Sequence, residues 1–162
     1  MDGTDCRILE PTPFSAKWYS HKFNGPGVRY EVGVRIADCM ICWVHGPFPA
    51  GKFPDQKIFS SCLQQKLFQT REFIVADGGY RGAILSHGIT DAQNDLIVRI
   101  RARHETVNGR LKNFRCLSHA FRHDLSKHGI CFFAVVNLRN LMLAEGHEHP
   151  FPLHYQTAES VL

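Results

Sequence analysis

The sequence lacks long hydrophobic runs. Its longest unbroken apolar stretch is Ile130–Val136, whereas a helix needs roughly 20 such residues to cross a bilayer. The first five residues, Met-Asp-Gly-Thr-Asp, have neither the basic head nor the apolar stretch of a secretory signal. We therefore expect a protein that neither spans a membrane nor is secreted. Because disulfides belong to oxidising compartments, the six cysteines are predicted to be free thiols.

Acidic residues are scarce in the segment 99–139. This segment carries nine Lys and Arg against two acidic residues, a net charge of +7 in a chain whose total is +4. A basic segment of this density in a mixed domain indicates a polyanionic partner, most simply nucleic acid. A solvated, Arg-rich helix face is the alternative explanation of the same charges.

The first half of the chain has the pattern of a mixed sheet. Strands are predicted over residues 2–9, 28–36 and 40–45, the last two as a hairpin that ends where Gly46 and the following prolines break regularity. One amphipathic helix of about 12 to 14 residues is predicted to begin near Asp55. Because a further strand follows this helix, the order predicts an α/β fold with a crossover connection.

Strand 28–36 has the clearest pattern in the sequence. Val28, Tyr30 and Val32 begin an apolar series that alternates with polar residues, Arg29 and Glu31 among them. This period of two predicts a strand with one face in the core and the other face in solvent.

Two helices are predicted in the second half. Val107, Leu111 and Phe114 form an apolar stripe on a helix over residues 100–117, and a different, exposed face carries Glu105, Asn108 and Lys112. Residues 129–145 are apolar nearly all round and predict a buried closing helix that stops at Gly146. Residues 81–98 are weakly patterned and predict a short helix or a loop.

The segment 73–80, Phe-Ile-Val-Ala-Asp-Gly-Gly-Tyr, predicts the location of a site. Four apolar residues in a row suit a strand buried on both faces. The two glycines after Asp77 let the backbone turn away at once, so Asp77 is expected at the open end of a strand, where ligands bind in open α/β sheets. An Asp that only begins a turn is the alternative.

Carboxylates on two strands and a helix are what a two-metal phosphodiester site needs. Magnesium prefers a few carboxylate oxygens and keeps its waters. One ion would activate water or a 3′-hydroxyl and the other would stabilise the leaving oxygen, about 3.5 to 4 Å away. Surrounding Arg and Lys would hold the phosphate backbone without reading its sequence.

Four motifs in order resemble the nuclease domain of Harbinger-type DDE transposases, over a span from Asp2 to about Tyr155. They are Asp2-Gly-Thr, Trp18-Tyr-Ser-His-Lys22 with Gly27–Val32, Ala76-Asp-Gly-Gly-Tyr80, and Arg101-Ala-Arg-His-Glu-Thr-Val-Asn-Gly-Arg-Leu-Lys112. The resemblance implies an RNase H-like mixed β-sheet with flanking helices over residues 1–155, followed by an irregular tail over 156–162.

The resemblance also implies activity and roles. It implies cleavage and joining of DNA with two Mg²⁺ or Mn²⁺ ions, and a nuclear location. The catalytic, metal-binding triad falls on Asp2, Asp77 and Glu105. Contact with DNA is implied for residues of the helix that carries Glu105, namely Arg101, Arg103, Asn108, Arg110 and Lys112.

The chain departs from the family pattern at its start. Members carry a helical DNA-binding region ahead of the nuclease domain, and apolar residues precede the first Asp; neither is present before Asp2. We therefore expect a domain truncated at its N-terminus, with a separate DNA-binding protein as one way to target it. An inactive remnant that binds DNA or protein is the alternative function.

Two further possibilities compete for individual residues. Asp5 competes with Asp2 for the first triad position; the odd offset puts the two on opposite faces of a strand, so only one can point at the metals, and the motif match favours Asp2. A structural zinc site is a second class of function, built from Cys39 and Cys42 or from the group Cys116, His119, His123, His128 and Cys131. His104, Arg122 and His123 are assigned no functional role.

Overall fold

The computed structural model describes residues 1–70, 74–77, 79–81, 84–85 and 90–148, without the side chains of 68–70 and 84–85. The predicted tail and the positions of Phe73 and Gly78 lie outside this part of the chain. In the described residues, no helix is long and apolar enough to cross a membrane.

The central strand of the sheet, β3, spans Gly25–Val34. It pairs antiparallel with β1 (Asp2–Arg7), with the short β2 (Tyr19–Ser20) and with β4 (Ile41–Pro49). The hairpin of β3 and β4 is as predicted, but β4 continues past Gly46 to Pro49, so the predicted break there is wrong.

The segment after the hairpin contains two helices and a second, parallel pair of strands. The helices are α1 (Asp55–Ser61) and α2 (Leu63–Thr70), and the strands are β5 (Ile74–Val75) and β6 (Ile84–Leu85). The prediction of one helix is wrong, because the backbone at Cys62 leaves the helical region with φ −147° and ψ −66°. The Met1 nitrogen donates to the Val75 carbonyl at 2.9 Å, which ties the start of β1 to β5.

Three more helices complete the described chain: α3 (Asp91–Lys112), α4 (Arg115–Ser118) and α5 (His128–Ala144). Helix α3 begins nine residues before the predicted start, because Thr90 and Gln93 form a capping box that satisfies its first backbone amides. The α/β class is therefore confirmed, as a small antiparallel sheet with helices. The RNase H-like arrangement stays a prediction.

Strand β3 is buried on both sides, which corrects the half-buried prediction. Its apolar face, defined by Cys6, Val28, Tyr30 and Val32 of β1 and β3, packs on side chains from α3 and α5. Its polar face, defined by Asp5, Arg29 and Glu31, is buried as well: Arg29 is 9% exposed and Glu31 only 1%. Helix α1 and the Trp43 side chain cover this polar face.

Helix α5 is less buried than predicted. Phe132, Val135 and Val136 lie in the core. Several large apolar side chains of the same helix are exposed: Ile130, Phe133, Leu138 and Leu141. The helix ends before Gly146, which has φ +73° as the predicted stop signal requires.

Candidate active site

The three predicted triad residues lie on three different elements that meet at one cleft. Asp2 begins β1, Asp77 follows β5, and Glu105 is in the middle of α3. All three line the same cleft of about 180 Å³. Met1, Val75, Ile100, Arg101 and His104 complete its lining.

Asp2 is the most firmly held of the three carboxylates. One of its oxygens, Oδ1, accepts a hydrogen bond from the Gly3 backbone at 2.7 Å. The other, Oδ2, accepts from the Asn108 side-chain amide of α3 at 3.2 Å. Its carboxylate orientation is therefore set from both sides by groups of the protein.

Asp77 stands at the open end of a strand and also begins a turn. It is exposed, directly after the buried Ala76. Its Oδ1 accepts from the Gly79 backbone at 2.9 Å, and the Tyr80 backbone donates to its carbonyl. Asp77 therefore meets both sequence-based alternatives: it lies at a strand end and it begins a turn. The strand itself is less buried than predicted, since Ile74 and Val75 are half-buried.

The chemistry of this cleft fits a hard divalent ion, and its spacing does not. Carboxylates from three elements supply the oxygen ligands that Mg²⁺ prefers. However, in the part of the chain described, no three His, Cys, Asp or Glu side chains are close enough together to hold a metal ion. The exposed Asp77 and Glu105 side chains would have to move toward Asp2 to share one.

His104 has a structural role that the sequence analysis missed. It is 5% exposed, and its Nε2 donates to the Val32 carbonyl of β3 at 2.8 Å. Its Nδ1 lies 3.3 Å from the Asn108 amide nitrogen. Burial lowers the pKa of His104 to about 3, so the ring is neutral at physiological pH. The sequence signal was the spacing of four residues between His104 and Asn108, which puts both on one side of α3.

The residues predicted to bind DNA all make contacts within the protein. Arg101 donates to the Ala76 carbonyl at 2.7 Å, and Arg110 forms an ion pair with Glu148 at 2.8 Å. Arg103 reaches the Ile36 carbonyl at 3.5 Å. Together with Asn108, these side chains tie α3 to its surroundings, so the DNA contact stays a prediction.

Lys112 fastens α3 to the middle of β1. Its ammonium group donates to the Asp5 carbonyl and lies 3.3 Å from the Cys6 sulfur. Since Asn108 donates to Asp2 one turn earlier, two residues of the helix face predicted to carry Glu105, Asn108 and Lys112 bind the same strand. The glutamate, amide and lysine pattern in the sequence therefore includes a structural component.

Asp5 lies away from the cleft, in the polar face of β3. Arg29 donates to both of its oxygens, at 2.7 and 2.9 Å, and Ser20 donates to one of them. Burial by itself would raise the pKa of Asp5, but the hydrogen bonds from Arg29 and Ser20 outweigh it and lower the pKa. Asp5 is thus a partner in a buried ion pair, whereas Asp2 faces Asp77 and Glu105 across the cleft.

A larger cleft of about 600 Å³ adjoins the first and shares Met1, Val75, Ile100 and His104 with it. It is lined largely by apolar side chains, including Trp43, Leu63 and Leu67, and no carboxylate of the described residues lines it. The smaller cleft is therefore the candidate for metal chemistry.

Among the described residues, the cysteines and histidines form no group of three that could hold a zinc ion, although Cys116 and Cys131 lie close enough to share a hydrogen bond. Cys39 is buried and Cys42 is exposed, although only two residues separate them. His128 is fully buried, with its Nδ1 2.7 Å from the Tyr30 hydroxyl. These placements are ordinary core and surface environments for thiols and imidazoles.

No protein-family model, curated protein or solved structure matches the chain.

Proposed function

We propose that this protein is a transposon-derived DDE nuclease domain of the Harbinger type, which cleaves and joins DNA with divalent metal ions. One observation carries the proposal: Asp2, Asp77 and Glu105, far apart in sequence, line one cleft. The ordered motifs that resemble the family support it independently. With DNA as substrate, the expected location is the nucleus.

Once Asp77 and Glu105 move toward Asp2, the three carboxylates would hold two Mg²⁺ or Mn²⁺ ions. When bound, such ions supply an activated water or 3′-hydroxyl and stabilise the leaving oxygen of a phosphodiester. Asp2 presents a carboxylate with a fixed orientation, and Asp77 and Glu105 are exposed enough to approach it. Arg101 borders the same cleft, so its charge favours a phosphate there.

Calorimetric titration with Mn²⁺ tests the proposal. Asp77→Ala is expected to abolish Mn²⁺ binding because it removes one of three ligands. Asp95→Ala is the matched control, since Asp95 is an exposed carboxylate on α3 outside the cleft. Binding to the wild type and the control alone, followed by Mn²⁺-dependent nicking of plasmid DNA, would support the nuclease.

A folded wild-type chain that binds no Mn²⁺ would contradict a working nuclease. That result would favour the second candidate, an inactive remnant that binds DNA or protein. The wide spacing of the carboxylates is the observation that favours this candidate. DNA binding without added metal, weakening steeply with salt, would identify a DNA-binding remnant.

A further inference from the structure

We propose that Asn108, oriented by His104, is the positioning residue of Asp2. The inference rests on the proposed function for its purpose, because a fixed Asp2 carboxylate matters when it binds a metal ion. It assigns to Asn108 a role inside the protein, in place of the contact with DNA that the family resemblance implies.

The chain of hydrogen bonds begins at the sheet. The Val32 carbonyl can only accept, so its contact with His104 Nε2 at 2.8 Å places a proton on that nitrogen. His104 Nδ1 faces the Asn108 amide nitrogen, a donor, at 3.3 Å and accepts from it. Because only 5% of the His104 surface is exposed, water does not compete with the protein for these ring hydrogen bonds.

The amide nitrogen of Asn108 contacts both the His104 ring and the Asp2 carboxylate. This nitrogen lies 3.3 Å from His104 Nδ1 and 3.2 Å from Asp2 Oδ2. Both neighbours are acceptors, and an amide NH₂ has two hydrogens to donate. A reversed amide would place its oxygen against a carboxylate and a lone pair, so only one orientation gives both acceptors a donor.

The consequence is a carboxylate held by two donors. Asn108 holds Oδ2 and the Gly3 backbone holds Oδ1, and each oxygen keeps a further lone-pair position. Removal of a residue that orients a metal ligand in this way typically lowers metal affinity about 10- to 100-fold. The Asn108 side-chain oxygen is itself buried and has no partner among the described residues, which is unlike a side chain presented to DNA.

The first test needs no metal. In ¹⁵N spectra of the full chain, the His104 ring is expected to be neutral with its proton on Nε2, and its Nδ1 resonance is expected to shift in Asn108→Ala. Thr106→Ala is the matched control, since Thr106 is exposed on the same helix and its hydroxyl donates to the Ala102 carbonyl of its own helix. A proton on Nδ1, or an Nδ1 resonance that Asn108→Ala leaves unchanged, would overturn the proposal.

The second test is Mn²⁺ affinity. Asn108→Ala is expected to bind Mn²⁺ about tenfold or more weakly than the wild type and Thr106→Ala. Equal affinities would overturn the positioning role. If Asn108→Ala does not fold, Asn108→Ser replaces it, because its shorter side chain cannot join both acceptors. If the wild type binds no Mn²⁺, the proposed function fails, and the ring spectrum then decides the contact between His104 and Asn108 on which the orientation of Asp2 depends.

Discussion

The two faces of β3 are buried to similar degrees and stabilised in different ways. On the apolar face, Tyr30 stacks on Phe132 of α5 with ring centroids 3.8 Å apart. On the polar face, Arg29 lies between Asp5 and Asp55, at 2.7 and 3.3 Å. The difference shows that the covering element decides burial, while the residue types decide which interaction must compensate for it. Removing one partner should therefore lower the stability of the fold for a different physical reason on each face.

The largest loss is expected on the apolar face. Phe132→Ala removes a fully buried ring that contacts Tyr30, and we expect the free energy of unfolding to fall by about 3 to 5 kcal/mol. Urea unfolding measures it. Phe133→Ala is the control, because this neighbouring ring is 43% exposed; its loss should be within about 1 kcal/mol. Equal losses would show that the stack on Tyr30 contributes little.

The next largest loss is expected on the polar face. Arg29→Ala leaves the Asp5 carboxylate, whose side chain is 1% exposed, without its cation. Breaking a buried pair in this way costs about 3 kcal/mol, at the lower end of the usual range because Ser20 still donates to Asp5. Arg35→Ala, which breaks the exposed pair with Asp38, should leave urea unfolding almost unchanged. Equal effects of the two changes would mean that burial adds nothing to the Arg29 pair.

The sequence predicts the strand but not the covering of its polar face. The predicted hairpin with β4 and the division into an apolar and a polar face were confirmed, but the predicted exposure of the polar face was wrong. Alternation carries no information about what packs above Arg29. That depends on where α1 places Asp55, a contact between residues 26 positions apart in sequence that no local pattern encodes.

The candidate site divides in the same way. The family resemblance, and not a local pattern, grouped Asp2, Asp77 and Glu105, which line one cleft. The local pattern alone predicted that Asp77 lies at the end of a strand. The hydrogen-bond partners of Asn108 and Lys112 could not be predicted from local patterns, since both side chains contact β1, more than 100 residues earlier in the sequence. The start of α3 was readable in principle, from the Thr90 and Gln93 capping box.

A third expectation concerns pH and the polar face. Burial raises the pKa of Glu31 from 4.5 to about 7, although the Trp43 hydrogen bond opposes it. The folded state therefore binds the proton more tightly than the unfolded state. The resulting stabilisation is complete below pH 4.5 and is lost as the pH rises through about 7.

Urea unfolding at several pH values measures this effect. Between pH 4.5 and 7, wild-type stability should fall relative to Glu31→Gln, with a slope of at most about 1.4 kcal/mol per pH unit. Glu10→Gln, at an exposed position, should keep the wild-type slope. Parallel pH profiles of the wild type and Glu31→Gln would show that Glu31 titrates normally in the folded protein.

The smallest loss is expected from a single neutral hydrogen bond on the apolar face. The Tyr30 hydroxyl lies 2.7 Å from His128 Nδ1, and both side chains are fully buried. Because burial lowers the pKa of His128 to about 4, the ring is neutral, and the Tyr30 hydroxyl and Nδ1 share a hydrogen bond between two neutral groups. Tyr30→Phe keeps the stack on Phe132 and leaves Nδ1 without its partner, so we expect a loss of about 1 to 2 kcal/mol in urea unfolding. A loss as large as that of Arg29→Ala would mean that the polar interactions of both faces are equally costly to break, and that charge is not what distinguishes them.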